Sequence, residues 1–490
     1  MRALRLLFRD SAVYGLAGAA NRFVKVLLVP VIAKAFPAEV YGAYDSASVA
    51  VYALAIAGIM GLHSSVIILA TRQPGSGTAP MRGPATTGFR LTLLAASALA
   101  GLVLLAPDWW SRLLLGDRSF AGPIAWAAAS VPFSSLLIYF LALLQWSFRR
   151  RAYVGISLGS AILTIVLSAL VAFGTDWGLT GLFAANLAGQ AMGAVLGAYA
   201  CRDLLTGRFS RGLARDMLGI GLPFAVIGVA GTMMPVVDRL FLVQGFSLTD
   251  AGLYGLGQKI ALLSALVLMG FQAAWGPFAF AHRDDAGMPR LVGRVFLLAC
   301  TLVAFMALAL VLAAPILARL AATSAYGPAA IFVGPLAIAT GLNAVFFVVA
   351  IGSLLEGRSL HYLSAYLTGL GVIIGLNLLF RLAAMPPLGI AWANCAGQAA
   401  AVAVMARLSQ RVHPFPYPFA KGAGILLAAA TLVAVTGPVA ARMPAPGIVA
   451  GLMLLTGGFA LWCWYGVLGP GERRLFGRMI AGSGAGRSVG

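Results

Sequence analysis

Apolar runs long enough to cross a lipid bilayer follow one another along this chain, and that succession leaves few folds open. A helix needs about 20 apolar residues to span the hydrocarbon core, and irregular backbone cannot face lipid. By that ruler the sequence predicts fourteen spans, at about 11–35, 42–70, 89–107, 121–147, 152–173, 178–200, 215–245, 252–280, 291–318, 328–354, 361–381, 387–408, 420–440 and 446–468. Turn-forming stretches separate them, such as Gln73 to Pro84 and His413 to Pro418. Hydrophobic residues make up 61% of the 490 and charged residues 10%. Soluble domains carry about 25% charge, so the composition is that of a membrane protein throughout. The first run is interrupted by Asn21, Arg22 and Lys25 and continues to Ala35, which predicts an uncleaved first span rather than a signal peptide.

The basic residues set the expected orientation. Alternate loops, beginning with the N-terminus, hold 24 of the 34 basic residues, the opposite loops hold 6, and four lie within spans. This bias predicts a multi-pass membrane protein with both termini cytoplasmic, as an even number of spans requires. It also explains the formal charge of +20 without nucleic acid, because the cations are scattered over short loops. Cys201, Cys300, Cys395 and Cys463 fall singly, with no spacing that suggests a metal site or a disulfide framework.

An internal repeat gives the architecture. Residues 181–191 read GLFAANLAGQA and residues 389–399 read GIAWANCAGQA, with seven identities at an offset of 208. The same offset places Arg150 on Arg358. With small gaps Arg9-Asp10 falls on Arg215-Asp216, Phe36 on Phe246, and Gly42-Ala43-Tyr44 on Gly252-Leu253-Tyr254. The predicted fold class is therefore an all-α polytopic membrane protein: two parallel six-helix repeats plus two C-terminal helices. The expected units are 1–206, 207–412 and, with a basic tail, 413–490. Parallel six-helix repeats are a transporter architecture with a substrate site between the halves.

The Y-G-x-Y turn at Tyr41, Gly42 and Tyr44, its echo at Gly252 to Gly255, and the FQAAWGPFAF segment from Phe271 to Phe280 carry a family resemblance. Together with the basic start they resemble the polysaccharide-transport branch of the multidrug/oligosaccharidyl-lipid/polysaccharide (MOP) flippase superfamily, which includes O-antigen flippases. The resemblance implies movement of a polyprenyl-pyrophosphate-linked oligosaccharide across the bacterial inner (cytoplasmic) membrane by alternating access. Such movement serves surface polysaccharide biosynthesis, with a polymerase and co-polymerase as partners. A cation-coupled multidrug extrusion antiporter and a lipid II flippase share the superfamily and stand as alternatives. No enzyme signature is present: His63, His282, His361 and His413 are scattered, and the longest loop is too short for a glycan polymerase or lipid-linked glycosyltransferase. A membrane scaffold without transport activity is disfavoured by the charges buried in both halves.

Those charges are the candidate site, since an ionisable group within a span is costly and is functional by default. Arg22 and Lys25 project from one face of the first span and suit the phosphates of a lipid pyrophosphate. Asp238 and Arg239 are adjacent and point about 100° apart, so they do not neutralise each other. We expect Asp238 to pair with Lys259, leaving Arg239 free to join a basic cavity made of Arg22, Lys25, Arg239 and Lys259. Asp238 is the candidate for H⁺ or Na⁺ coupling, weighed against a structural salt bridge; no cofactor or metal is expected. Asp45 and Glu356, at predicted span ends, read as solvated or capping groups. Gln272, Trp275 and Tyr139 are candidates for stacking on sugars, against interface belts and packing. Asn186, Gln190, Asn394 and Gln398 read as helix-packing polar groups. Pro30, Pro223, Pro235 and Pro277 fall within spans and offer hinges.

Overall fold

The computed structural model describes residues 27–72, 79–265, 275–276, 278–279, 282, 285, 287–440, 444–462 and 465. Among the described residues every regular element is helical, the outcome expected where backbone groups must bond within their own segment. Eleven helices are long and apolar enough to cross a membrane: α1 (Ala38–Arg72), α2 (Ala79–Leu104), α3 (Arg118–Trp146), α4 (Arg150–Gly174), α5 (Gly178–Ala200), α6 (Arg211–Gly245), α8 (Met288–Ala321), α9 (Ser324–Val349), α10 (Leu360–Leu382), α11 (Leu388–Val412) and α12 (Phe419–Ala440). Two shorter ones join them, α7 (Leu248–Ala261) and α13 (Ala445–Trp462). These thirteen fall on the second to fourteenth predicted spans. The first span lies mostly outside the described residues, and so does the second half of the eighth.

Helix ends follow local chemistry. α7 begins after a turn of two residues because Ser247 caps it: its Oγ accepts from the Asp250 backbone N–H at 3.0 Å and donates to the Asp250 carboxylate at 2.6 Å. α6 starts at the Ser210 cap. α1 is broken in its middle, where Met60 and Gly61 take φ of 49° and 64°. Gly61 is required there, because a β-carbon would overlap the carbonyl oxygen of Gly221 on α6.

Within the first repeat α4 packs on α5 and α3 on α2 and α5; within the second, α8 packs on α9 and α10 on α11. α6 ties the two together. Its early part lies against α1 and α2, with the Ser65 hydroxyl donating to the Met217 carbonyl at 2.7 Å. Its late part lies between the start of α1 and helices α10 and α11. α7 runs beside the first turns of α1, so the first turns of α1 and α7 and the last turns of α6 meet at one end of the molecule, called here the Pro37 end. At the opposite end Arg149 grips Asp203 with both terminal guanidinium nitrogens, Nη1 at 2.7 Å, and Nη1 also donates to the Ala200 carbonyl. The largest buried apolar cluster lies around the α1–α6–α7 junction and includes Tyr41, Tyr44, Leu242, Tyr254, Leu256 and Phe332.

Candidate functional site

Two of the charges that the sequence placed inside spans, Arg239 and Lys259, meet in that cluster through Asp45. Asp45 sits in the second turn of α1 and is 3% exposed. Its Oδ2 accepts from Arg239 Nε at 3.1 Å and Nη2 at 2.7 Å, while its Oδ1 lies 3.0 Å from Lys259 Nζ. Arg239 Nη2 also donates to Gln258 Oε1 at 2.5 Å. One carboxylate from α1 thus holds a cation from α6 and another from α7. Arg239 is 2% exposed, whereas 28% of the Lys259 side chain is accessible, so Lys259 is the open edge of the network.

Asp238 faces away from this pair, as adjacent positions on a helix must. It is fully buried, and its Oδ2 accepts from Tyr254 Oη at 2.7 Å and Asn394 Nδ2 at 2.5 Å. The Tyr254 ring also carries the Arg239 guanidinium, whose central carbon is 4.8 Å from the ring centroid. Tyr254 therefore separates the neighbouring charges while touching both. Asp238 Oδ1 and Arg239 Nη1 are buried and have no hydrogen-bond partner among the described residues. Burying charges in this way contributes little net stability, so retention of four together points to specificity or switching.

Several expectations are corrected by this arrangement. Lys259 pairs with Asp45, not with Asp238, and Arg239 is held rather than free. The reason is tertiary: α1 supplies a carboxylate that is far away in the chain. Asp45 is not a solvated span-end group, because α1 starts at Ala38, four residues before the predicted start, and carries it inside. With Asp45 counted, Arg239 and Lys259 are balanced by Asp45 and Asp238, so the basic excess rests on Arg22 and Lys25. Those two, like Gln272, lie outside the described residues. Tyr139 is fully buried here, and its hydroxyl donates to the Ala85 carbonyl at 2.8 Å across α2 and α3, so in this structure it packs between helices. Trp275 is 5% exposed and stacked on Phe278 at 6.4 Å, which makes it a packing residue here. Asn394, read as a packing residue, is a ligand of Asp238. Asn394, Tyr254, Gln258 and Asp45 were missed as site residues. The signals that pointed toward them were the AN-x-AGQA block for Asn394 and the G-L-Y-G echo for Tyr254.

The repeat extends to these contacts. Tyr44, the counterpart of Tyr254, has Asn186, the counterpart of Asn394, as a polar partner and stacks on Phe183 at 5.2 Å. At the offset of 210 that relates Phe36 to Phe246, the position of Asp238 is Leu28, an aliphatic residue. Equivalent tyrosine and asparagine residues come together in both halves, directly in the first and through the carboxylate of Asp238 in the second.

The model of the family described as "Polysaccharide biosynthesis protein" matches residues 31–331, a stretch that contains Asp45, Asp238, Arg239, Tyr254 and Lys259. This chain belongs to that polysaccharide biosynthesis family. No curated protein matches the sequence. Among solved structures, the fold of this polysaccharide biosynthesis protein is similar to that of the lipid II flippase MurJ in an inward closed conformation, with TM-score 0.71, 12% identity, 92% of this chain covered and 98% of that one. It is similar also to an inward-facing multidrug resistance MATE family transporter of the MOP superfamily, with TM-score 0.68, 15% identity and coverage of 84% and 96%. An outward-facing conformation of a MATE family transporter matches with TM-score 0.59, 15% identity and coverage of 86% and 96%. The fold of this family member is thus the one that these flippase and transporter structures share.

Proposed function

We propose that this polysaccharide biosynthesis family member is a flippase that moves a polyprenyl-pyrophosphate-linked oligosaccharide across the bacterial cytoplasmic membrane by alternating access. In this reading both termini are cytoplasmic, the Pro37 end faces outward, and units 1–206 and 207–412 rock against each other, with 413–490 as an addition. The substrate serves surface polysaccharide biosynthesis, O-antigen, exopolysaccharide or capsule, alongside a polymerase and co-polymerase. The observation that carries the reading is the buried Asp45–Arg239–Lys259 network, which joins the two repeats in a chain of this family. Charges between repeat halves suit an anionic headgroup, and closure on Asp45 keeps the cations satisfied while no substrate is present.

Mechanistically, Lys259 is the accessible cation and meets the pyrophosphate first, as a point charge. Its departure leaves Asp45 with Arg239 alone, and a second phosphate oxygen then competes for the guanidinium fork. Arg22 and Lys25 of the first span complete the set. The polyprenyl tail stays in lipid. Asp238, held by Tyr254 and Asn394 against the back of Arg239, is the coupling residue for H⁺ or Na⁺. The test is replacement of Arg22 and Arg239 together by Ala in the host strain. Surface polysaccharide should be lost while the protein remains in the membrane; normal polysaccharide refutes the cavity. A multidrug antiporter would instead raise resistance to cationic dyes on overexpression, which the flippase reading excludes.

A further inference from the structure

The two sequence repeats touch each other backbone to backbone at the Pro37 end. A β-carbon at Gly42 of α1 would overlap the Leu248 carbonyl oxygen of α7 and lie 2.8 Å from the Gly252 nitrogen. A β-carbon at Gly252 would overlap the Ala38 carbonyl oxygen and lie 3.1 Å from the Gly42 nitrogen. The contact is reciprocal. Gly42 and Gly252 are repeat counterparts, and so are Ala38 and Leu248, each pair being 210 residues apart. Two equivalent glycines, each seated on the partner helix's first turn, place a pseudo-two-fold axis between them, as in an isologous contact. Hydrogens on the glycine α-carbons face carbonyl oxygens, the close packing that small residues permit between membrane helices. One turn further in, a β-carbon at Gly255 would sit 2.8 Å from Asp45 Oδ2, so a third glycine leaves room for the carboxylate that closes the ion network.

A route between two halves related by such an axis runs along the axis, and helices in backbone contact there leave no passage for a headgroup. We propose that the α1–α7 seam is the outer gate of the transport route, closed in this structure, and that Gly42 and Gly252 are the surfaces on which it closes. The proposal rests on the alternating-access reading above. Residues larger than glycine at either position prevent closure, and Asp45, Arg239 and Lys259 lock the seam from beneath once the backbones have met.

The test uses Glu39→Cys and Thr249→Cys, exposed repeat counterparts on the two helices, spin-labelled in a background without the native cysteines. The protein is reconstituted in phosphatidylethanolamine–phosphatidylglycerol vesicles without substrate. Double electron–electron resonance should give a short-distance population in the parent, and Gly42→Val and Gly252→Val should each lose it. A parental distance distribution in both variants overturns the proposal. A second measurement leaves the seam intact: a short bis-methanethiosulfonate reagent bridges the two introduced cysteines in unlabelled protein, each thiolate forming a reducible disulfide and displacing methanesulfinate. Bridging should stop transport of undecaprenyl-pyrophosphate-linked oligosaccharide, and reduction should restore it; transport at the parental rate through the bridge overturns the gate. Loss of the short distance in a protein that moves no such lipid even when unbridged retires the flippase reading and keeps the gate.

Discussion

At the scale of single residues the account turns on Asp45, a buried carboxylate serving two cations, of which Arg239 is shut away from water and Lys259 is partly exposed. Removing one partner of a buried pair leaves uncompensated charge and costs about 3–5 kcal/mol. Asp45→Asn should therefore lower the unfolding midpoint of the purified protein markedly, and the further change Arg239→Gln should recover part of the loss, because contacting residues are not additive. A double variant as unstable as the sum of the singles contradicts the pairing. Asp238 carries a different prediction. Asp238→Asn keeps the shape and the contacts to Tyr254 and Asn394 but removes the exchangeable charge, so residual transport should no longer respond to a proton or sodium gradient. A retained response removes Asp238 from coupling. Of these residues Asp238, Arg239 and Lys259 were legible in the sequence, since a charge deep in an apolar run advertises itself. Asp45 was not, because four residues of error in a helix start moved it from the interior to a span end.

At the scale of helices the sequence was most informative, because bilayer thickness and backbone hydrogen bonding allow one solution per apolar run. The α11 and α12 boundaries, for example, follow directly from run length and the proline-rich break at His413 to Pro418. What run length cannot supply is which faces meet: Lys259 looked as close to Asp238 as to anything, and only the packing of α7 on α1 decides for Asp45. Loops at the Arg149 end hold another testable element. Arg149 ties the turn between α3 and α4 to the turn after α5 through Asp203, and its hydrogen bonds hold the Asp203 carboxyl below the ordinary carboxylate range. Because the folded pKa is depressed, the stabilisation is present above the unfolded pKa and is lost as pH falls through the folded one. The pair is partly exposed, 31% and 43%, so its contribution is at most about 1 kcal/mol. Asp203→Asn should give a small drop in unfolding temperature at pH 7 and none at a pH below the folded pKa, where Asp203 is protonated in the parent as well. A drop independent of pH contradicts the electrostatic origin.

At the scale of the molecule the repeat was the most telling feature of the chain. Matching Gly42-Ala43-Tyr44 to Gly252-Leu253-Tyr254 anticipated two helices in equivalent roles, and these are the helices whose glycines touch. The same offset of 210 sets aliphatic Leu28 in the position of Asp238, so the chemical difference between the halves was also open to reading in the sequence. The resulting picture is of two sequence repeats that meet at one asymmetric, charged junction. The direct test of its place on the transport route is leaflet-to-leaflet movement of undecaprenyl-pyrophosphate-linked oligosaccharide in proteoliposomes, read by a membrane-impermeant lectin. The parent protein should translocate the lipid, and Lys259→Ala, which removes the exposed cation, should do so at least about tenfold more slowly, a loss of about 1.4 kcal/mol of transition-state stabilisation. Translocation by Lys259→Ala at the parental rate would contradict the account.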